Sequence, residues 1–470
     1  MAKTPRPLIV MKFGGTSVGS AECMQQVGRL VAENFKRADI VVVVSAMGGV
    51  TDMLIRAAKE ASSGDREGWK GARQELARKH REVADQTLSA SEQAVVLPRL
   101  AEQVENFENL CSGFSLVREA TPRAMDTLSS LGEVLSSTLV AAVLRSQGLL
   151  AEAVDSTGLI VTDERFGNAT PLFEETYQRT RQRLLPLSRR GVIAVVTGFR
   201  GSTPGGLCTT LGRGGSDYSA TIIGAALDAD ETWIWTDVDG VMSADPRLVP
   251  HARIIPEISY QEAIELSFFG AKVLHPKTIQ PVIKQNIPVW IKNTFNPSCP
   301  GTKIGASAAN GARGVKAITS VSKTQLITLS AKGNLSFASL AAKAFSALSM
   351  EEVDTLMVTQ SSADNVLCFA VRDADLRQVK ALLEKVFELE MLHDQRVSIE
   401  IMPHVAIVVA IGENMKGTPG IAGRSFGALG RKGINLIAIA QGSSEISISF
   451  AVKASEVKEA VQAIHDEFQL

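Results

Sequence analysis

Short runs of consecutive apolar residues recur in the first half of the chain, and each is followed by a turn rich in glycine, serine or threonine. The runs lie at Leu8–Met11, Ile40–Val44, Val192–Val196 and Thr232–Trp235. Continuous apolar runs are typical of strands that are covered on both faces. Strands that end in such turns and lead into helices indicate a parallel α/β sheet, with ligands at the carboxyl ends of the strands.

The stretch 53–147 contains almost no strand pattern. It is rich in alanine, glutamate, arginine, leucine and glutamine, which favour helices, so we expect a helical layer there. Between residues 305 and 322 the composition shifts to glycine, alanine and serine, which is typical of a linker. We therefore expect a first domain over 1–304 and a linker over 305–322.

An internal repeat follows this linker. Asn334–Val371 aligns without gaps on Met415–Val452, a shift of 81 residues, and polar Gln-Ser loops recur at the same place in both copies. Each copy has the βαββαβ order of a small ferredoxin-like unit. We expect two such domains, over 323–400 and 401–470, and the shared polar loops disfavour a mere structural spacer.

The composition excludes several classes of protein. A net charge of −1 over 470 residues disfavours a nucleic-acid partner. The five cysteines are scattered, which indicates reduced thiols, and the six histidines show no paired ligand spacing, so no metal site is predicted. The amino terminus has no signal-peptide core, and no apolar run approaches the ~20 residues that span a bilayer. We expect a cytoplasmic protein without a membrane partner.

The turn Lys12–Gly19 follows the first apolar run and is a strong candidate for an anion site. Glycines let the backbone approach a ligand closely, and the free N–H groups of a helix that starts near Ser20 favour an anion. Lys12 adds a positive charge, so the turn predicts a phosphate cradle. It is not a P-loop, because the pattern G-x-x-x-x-G-K-[ST] does not occur in the chain. Taken alone, the turn is also compatible with a plain strand-to-helix connection.

A second glycine-rich loop, Thr209–Tyr218, carries Arg213, Ser216 and Asp217. Arginine can hold a carboxylate through two hydrogen bonds, and the helix that starts near Ser216 adds its dipole. The loop is therefore a candidate for binding the acid group of a substrate. The alternative is a solvated ion pair between Arg213 and Asp217 on the surface.

Thr236 and Asp237 end the fourth apolar run, where an α/β sheet binds nucleotides. The carboxylates of Asp237, Asp239 and Asp245 have part of the spacing of a calcium loop. No glutamate closes that loop, and Pro246 interrupts it. A role in base recognition or in a turn is therefore preferred to a metal cage.

Together these motifs resemble the aspartate kinases (aspartokinases) in order and spacing. The resemblance is carried by Lys12–Val18, by Ser45 with Thr51, by Leu211–Tyr218, by Trp235–Asp237 and by Gly270–Pro276. The two C-terminal repeats are similar to the tandem ACT domains of that family, so the whole chain is covered. The resemblance implies an amino-acid-kinase fold, a three-layer α/β sandwich with a mostly parallel sheet, followed by two α+β ferredoxin-like ACT domains.

The implied reaction is transfer of the γ-phosphoryl group of ATP, with Mg²⁺, to the side-chain carboxylate of L-aspartate. It gives 4-phospho-L-aspartate and ADP, in the first step towards lysine, threonine and methionine. An ionised carboxylate is already a nucleophile at pH 7, so no general base is needed and catalysis rests on positioning and charge neutralisation. The metal is expected to arrive on the nucleotide rather than in a protein cage.

The resemblance also assigns roles to the residues that match the family's motifs. Catalysis is assigned to Lys12 and to Asp217, the latter by orienting Lys12 or Arg213. Glu133 is expected to meet the α-ammonium group of aspartate and Arg213 its α-carboxylate. The residues assigned to ATP are Lys12, Phe13, Gly14, Gly15, Thr236, Asp237, Met242, Arg247 and Lys272. The residues assigned to aspartate are Ser45, Thr51, Glu133, Phe199, Arg213, Gly214, Gly215 and Ser216.

The ACT repeats imply feedback regulation by an end-product amino acid, threonine or lysine, and a homodimer formed through these domains. Gln360 and Gln441 match the positions of glutamines near the effector. The second copy keeps the glycine-containing turn Gly417–Ala422, whereas the first has Ser336–Ala341 there. Effector binding by the first copy and a purely structural role for it therefore both stay open.

Two other functions are compatible with part of the pattern. One is another enzyme of the amino-acid-kinase fold that acts on glutamate, acetylglutamate, carbamate or a nucleoside monophosphate. It would not explain the Arg213 loop together with the twin ACT units. The other is a non-catalytic amino-acid sensor, which the intact Lys12, Glu133 and Asp217 disfavour. The chain has no G-x-G-x-x-G fingerprint of a dinucleotide domain, so we expect a monofunctional kinase without homoserine dehydrogenase activity.

Overall fold

A computed structural model describes residues 6–271, 274–307, 314–332, 335–361, 365–392 and 396–470. The chain divides into two compact units. The first unit comprises Met1–Val241, Pro256–Tyr260 and Leu274–Ala308, and the second comprises Met242–Ile255, Gln261–Val273 and Ala309–Leu470. Two segments before residue 304, which the sequence assigns to the first domain, therefore group with the C-terminal half.

The first unit is built from an eight-stranded sheet, a two-stranded ribbon and helices on the faces of the sheet. Its strands are β1 Leu8–Phe13, β2 Asp39–Val44, β3 Ala151–Val154, β4 Ile193–Thr197, β5 Arg200–Ser202, β6 Cys208–Thr210, β7 Glu231–Thr236, β8 Glu257–Ser259, β9 Val289–Asn293 and β10 Thr302–Gly305. Its helices are α1 Ala21–Phe35, α2 Val50–Ser63, α3 Arg66–Thr87, α4 Ala90–Val117, α5 Pro122–Ser129, α6 Leu131–Ser146, α7 Phe173–Arg189, α8 Gly215–Ala226 and α10 Pro276–Ile283. Helix α9, Tyr260–Phe268, begins at the last residue of a first-unit segment and continues in the second unit.

The large sheet has the order β3-β4-β2-β1-β7-β9-β10-β8. Strands β3, β4, β2, β1, β7 and β9 are parallel, and β10 pairs antiparallel with β9. The four apolar runs form the four strands at and beside the centre of this parallel part, β4, β2, β1 and β7. Their side chains are buried because helices cover both faces, as the continuous apolar pattern predicts. The predicted α/β class is confirmed.

Helices α2 to α6 occupy most of residues 50–146 and share a core with α1 and the sheet. Helix α1 starts where the Ser20 hydroxyl accepts the Cys23 N–H at 3.3 Å, a standard N-terminal cap. The segment Pro122–Ser146 is long and apolar enough to cross a bilayer, but 83% of its most apolar window is buried inside the protein. It is therefore a core helical segment of the first unit.

The second unit contains a six-stranded antiparallel sheet in the order β12-β13-β11-β14-β16-β15. Its strands are β11 Ala317–Ala331, β12 Met357–Ser361, β13 Val366–Arg372, β14 Val397–Ile411, β15 Ala438–Gln441 and β16 Ser447–Lys453. Its helices are α11 Phe337–Met350, α12 Leu376–Val386, α13 Glu388–Leu392, α14 Ile421–Arg431 and α15 Val457–Phe468. The strand β11 begins at Ala317, within the stretch 305–322 whose composition suggests a linker.

The internal repeat is confirmed by the pairing of the two long strands. β11 pairs with β14 so that Thr324 faces Val405, residues that the repeat makes equivalent. Both strands bend just before this pair, at Lys323 and His404, whose φ angles are +63° and +59°. The first part of each long strand pairs with the last part of the other. Each βαββα copy therefore gains its fourth strand, the sixth element of the βαββαβ order, from a half of the other copy's long strand.

Candidate active site

The turn after β1 is held between two neighbouring strands. Because β1 is parallel to β2 and β7, the carboxyl ends of all three strands lie at one edge of the sheet. The Gly14 N–H donates to the Trp235 carbonyl at 3.0 Å, and the Ser45 N–H donates to the Phe13 carbonyl at 3.1 Å. The glycine-rich turns after β1 and β2 therefore lie at the edge of the sheet where ligands are expected.

Gly15 makes the closest backbone approach in this turn. Its carbonyl accepts the Gly48 N–H at 3.0 Å, and a Cβ at Gly15 would lie 2.9 Å from the Ala46 carbonyl oxygen. The turn after β2 is held from the other side, where Lys79 Nζ donates to the Gly48 carbonyl at 2.6 Å. A side chain at Gly15 would therefore push the two turns apart.

A cavity of about 350 Å³ opens above these turns. It collects ten of the residues predicted for the site: Lys12, Gly15, Ser45, Thr51, Glu133, Phe199, Gly214, Gly215, Ser216 and Asp217. It is also lined by residues that the sequence did not single out: Ala46, Met47, Gly48, Gly49, Asp52 and Gly212. Arg213 is exposed and lies in the chain between two of the lining glycines.

Three helices contribute their first turns to the cavity. Helix α2 begins after Gly49 and α8 after Gly214, and both glycines have positive φ angles, +79° and +68°. Helix α6 contributes Glu133 from its first turn. Free N–H groups and the helix dipole make helix N-termini favourable for anions. The cavity is therefore suited to a ligand that carries several negative charges.

Lys12 and Asp217 form an ion pair in the cavity. Lys12 Nζ lies 2.5 Å from Asp217 Oδ1, and the two side chains are only 10% and 17% exposed. Asp217 thus pairs with Lys12, so the surface ion pair with Arg213 that the sequence left open is not formed. The carboxylate fixes the lysine ammonium beside the glycine turn, and the exposed Arg213 is available for a ligand.

Glu133 is a buried acid with an incomplete set of partners. It is 3% exposed, and its Oε2 has no hydrogen-bond partner among the described residues. Burial raises the pKa of Glu133 to about 8, although the backbone N–H of Ala46 and the charges of Arg200 and Lys12 favour its ionised form. An unpaired buried carboxylate oxygen costs free energy unless a ligand donates to it. The site is therefore prepared for a cationic group of a ligand.

Asp126 holds the segments that lead into the Arg213 loop, and the sequence did not predict this role. Its carboxylate accepts the N–H groups of Gly167 and Thr210, both at 2.9 Å, and the Thr210 hydroxyl at 2.8 Å. Burial raises the pKa of Asp126, and these hydrogen bonds oppose the rise. Thr210 ends β6, which leads directly into the Arg213 loop, so Asp126 fixes where this loop starts. Nothing local in the sequence distinguishes Asp126 from a surface acid of a helix.

Most of the described residues that are assigned to ATP do not line this cavity. Phe13 is fully buried and stacks on Trp235, so its side chain belongs to the core. Thr236 ends β7 in the first unit, and Asp237 follows it. Met242 and Arg247 belong to the second unit, where Arg247 is paired with Asp245. Lys272 lies outside the described residues.

Other predicted features have definite surroundings. Asp239 Oδ1 accepts hydrogen bonds from the side-chain amides of Asn293 and Asn296 at 2.8 and 3.0 Å, which connect the turn after β7 to these two residues. All five cysteines are free thiols, as predicted. Gln360 and Gln441 occupy equivalent, exposed positions on β12 and β15.

The fold and the cavity together define an α/β protein with a candidate anion site and a C-terminal pair of repeats, and comparisons with known proteins identify the family. Residues 7–293 match the Amino acid kinase family, and residues 327–387 and 408–468 each match an ACT domain. Aspartokinase 3 of Arabidopsis thaliana, a chloroplastic protein, is 35% identical over 479 residues, which cover 99% of this chain and 82% of that protein. The chain belongs to the aspartokinases.

Two further relatives set this result in context. A bifunctional aspartokinase/homoserine dehydrogenase 1 of Arabidopsis thaliana is 36% identical over 467 residues, which are 98% of this chain and 51% of that protein. The chain thus spans about half the length of such bifunctional relatives. E. coli aspartokinase III is 28% identical, with TM-scores of 0.84 for its complex with aspartate and ADP (R-state) and 0.80 for its complex with lysine and aspartate (T-state). These alignments cover 98% of this chain and 100% and 99% of the E. coli chains.

Proposed function

We propose that this protein is an aspartate kinase that transfers the γ-phosphoryl group of ATP to the side-chain carboxylate of L-aspartate. The observation that carries the proposal is a single cavity in which the Lys12–Asp217 ion pair and the unpaired carboxylate oxygen of Glu133 lie among three helix N-termini. Support also comes from the E. coli relative, which was solved with aspartate and ADP.

The amino-acid end of the cavity suits aspartate. The unpaired Oε2 of Glu133 accepts a hydrogen bond from the α-ammonium group of aspartate. The exposed Arg213 holds the α-carboxylate through two hydrogen bonds. Thr51 and Ser216 donate to the side-chain carboxylate and orient it towards the nucleotide. Because burial raises the pKa of Glu133 to about 8, aspartate binding at neutral pH drives a proton from this residue.

The reaction needs positioning and positive charge rather than a base. One side-chain oxygen of aspartate attacks the γ-phosphorus, and the bond from the γ-phosphorus to the β,γ-bridging oxygen breaks to leave ADP. Lys12, fixed by Asp217, and the N–H groups at the starts of α2 and α8 stabilise the charge on the transferring group. Asp217 orients Lys12 and does not accept a proton.

Mg²⁺ fits this arrangement as a partner of the nucleotide. Among the described carboxylates of the cavity, Asp217 is committed to Lys12 and Glu133 is buried, whereas Asp52 is exposed. Asp52 is the side chain that can approach a metal held by the phosphates, and Mg²⁺ supplies charge neutralisation when bound. Thr236, Asp237, Met242, Arg247 and Lys272 remain assigned to the rest of the nucleotide by the family resemblance.

The C-terminal repeats are proposed to bind an end-product amino acid and to form a homodimer. The lysine complex of the E. coli relative supports lysine as one candidate, and threonine is the other. In functional terms, residues 1–304 carry catalysis, 305–322 connect, and the ACT domains 323–400 and 401–470 carry regulation, with Gln360 and Gln441 near the effector. The free cysteines fit a cytoplasmic location.

An ADP-release assay with alternative acceptors tests the activity. Aspartate should support ADP release, and hydroxylamine should trap the acyl phosphate as a hydroxamate, whereas glutamate, acetylglutamate and carbamate should support neither. If another acceptor supported ADP release and aspartate did not, that acceptor would be the substrate instead of aspartate. Amino-acid binding without any ADP release would favour the sensor.

Effector titrations test the regulation. Lysine, threonine and methionine are added singly and in pairs to the active enzyme at aspartate concentrations near KM. Inhibition by lysine or threonine, and its loss in Gln360→Ala or Gln441→Ala, would support the assignment. Flat curves for all three amino acids would contradict the feedback proposal.

A further inference from the structure

Two histidines and an aspartate meet within the second unit. His251 lies on the segment Met242–Ile255, and His465 and Asp466 lie on α15. One ligating atom from each of the three side chains lies within 4.8 Å of the other two. His251 and Asp466 are 215 residues apart in the sequence, so the spacing of the histidines along the chain gives no sign of this cluster.

The separations of the ligating atoms suit a metal ion. His251 Nε2 lies 3.2 Å from Asp466 Oδ1, and His465 Nδ1 lies 3.9 Å from the same oxygen. With bonds of about 2.0–2.2 Å to nitrogen and oxygen, tetrahedral ligands of zinc are separated by roughly 3.4 Å. The two observed distances lie on either side of this value. His251 and Asp466 are exposed, so small rotations of these side chains can close the shell.

The third ligand, His465, is buried and held in place. It is 1% exposed, and its Nε2 lies 2.9 Å from the Ser243 hydroxyl, which also accepts the Arg253 N–H at 3.0 Å. When Nε2 donates to Ser243, Nδ1 carries the lone pair that faces Asp466. Hydrogen bonds of this kind fix the tautomer and the ring orientation of metal-binding histidines.

We propose that His251, His465 and Asp466 form a binding site for a divalent transition-metal ion, with Zn²⁺ as the best chemical match. Two imidazoles and one carboxylate, with a position left for water, are a donor set that zinc accepts. Mg²⁺ is disfavoured because it prefers oxygen ligands and octahedral geometry. The metal joins the segment 242–255 to α15. The positive charge of Arg253 acts on His465, so it also repels a bound metal ion and limits the affinity of the site for the metal.

Metal titration of the full chain without nucleotide tests this site. Co²⁺ should bind at one equivalent with the intense visible absorption of a tetrahedral complex, and Zn²⁺ should displace it. His251→Ala and Asp466→Asn should each weaken binding by roughly tenfold or more, by analogy with the 10–100-fold losses for supporting residues of metal sites. These two exposed ligands are preferred as variants because replacement of the buried His465 ring can unfold the unit.

His404→Asn provides the matched control. His404 is an exposed histidine of the same unit, and asparagine tolerates its positive φ of +59°. This variant should bind Co²⁺ like the original chain. The proposal is overturned if the chain shows no saturable Co²⁺ binding, if the absorption is that of a weak octahedral complex, or if His251→Ala and Asp466→Asn bind as tightly as His404→Asn.

Discussion

The cavity of the first unit and the Thr324–Val405 strand pair of the second unit treat buried polar groups in opposite ways. In the cavity, Glu133 keeps an oxygen without a partner among the described residues, and Lys12 is fixed by a single carboxylate. At the centre of the antiparallel sheet, the fully buried Thr324 hydroxyl donates to the Val405 carbonyl at 2.7 Å. A buried polar group without a partner destabilises the fold, whereas a paired one does not.

This difference separates residues kept for a ligand from residues kept for the fold. Changes in the cavity should act mainly on activity, and the removal of an unpaired group such as the Glu133 carboxylate should also improve stability. Changes at the strand pair should reduce stability and leave the chemistry unchanged. Each of the following substitutions tests this distinction.

Lys12→Ala should have the largest effect. It removes the charge nearest the phosphate turn, and loss of one electrostatic donor to a transition state costs ~10²–10³ in kcat. Stability should also fall, because the substitution leaves the largely buried Asp217 carboxylate without its partner. Steady-state kinetics and thermal unfolding measure the two effects. Lys70→Ala, at an exposed lysine of α3, is the control and should match the original chain. Near-normal kcat in Lys12→Ala would remove Lys12 from the mechanism.

The sequence was sufficient for those parts of the molecule that local pattern determines. Apolar runs predict β1, β2, β4 and β7, because a strand buried on both faces has no polar positions to interrupt it. The repeat predicts two similar halves of the second unit, because similar sequences fold alike. Equivalent residues such as Lys323 and His404 accordingly take the same backbone conformation. The glycine turns are predictable because close backbone approach requires glycine.

The sequence was not sufficient where a side chain's role depends on a distant partner. Asp126 supports the Arg213 loop through Gly167 and Thr210, and no local spacing encodes that contact. Asp217 was left between Lys12 and Arg213, and only the folded chain selects Lys12. The grouping of 242–255 with the C-terminal half likewise depends on long-range packing.

Glu133→Gln should have the next largest effect, on aspartate binding. Loss of a charge-assisted hydrogen bond of about 1.5–3 kcal/mol raises KM for aspartate roughly ten- to a hundredfold. In the original chain, this KM should fall as pH rises towards 8, because the ionised form of Glu133 binds the ammonium group and its pKa is about 8. In Glu133→Gln, KM should not show this dependence. A parallel pH dependence in both proteins would assign the titration to another group.

The same variant tests the stability side of the comparison. The pKa of Glu133 rises from the ordinary value of 4.5 to about 8 on folding, so the folded chain holds this proton more tightly than the unfolded chain. The stability of the original chain should therefore decline between these pH values and stay lower above pH 8. Glu133→Gln lacks this decline. The free energy of unfolding in urea of Glu133→Gln minus that of the original chain should therefore be larger at pH 9 than at pH 5. An equal difference at both pH values would contradict the raised pKa.

Gly15→Ala should have an intermediate effect on both properties. The added Cβ would lie 2.9 Å from the Ala46 carbonyl oxygen, so one of two backbone turns must shift, at a cost of about 1–3 kcal/mol. The shift moves Gly15 relative to Lys12, so kcat should fall together with the free energy of unfolding. Gly71→Ala is the matched control, because the space around that helical glycine is open and the change should stabilise α3 by up to ~1 kcal/mol. Normal kinetics in Gly15→Ala would show that the turn adjusts without effect on the phosphate site.

Thr324→Val should have the smallest effect and no effect on the chemistry. It keeps the side-chain shape but removes the donor to the Val405 carbonyl, at a cost of about 1 kcal/mol. Amides of β11 and β14 should therefore exchange hydrogen roughly fivefold faster, while kcat and KM without effector stay unchanged. Thr328→Val is the control, because its hydroxyl donates to the weakly accepting Cys368 sulfur at 3.6 Å, so its loss should accelerate hydrogen exchange less. If Thr324→Val altered kcat as strongly as Lys12→Ala, the hydroxyl at the centre of the repeat would act on the reaction, and the separation between ligand-directed and fold-directed polar groups would fail.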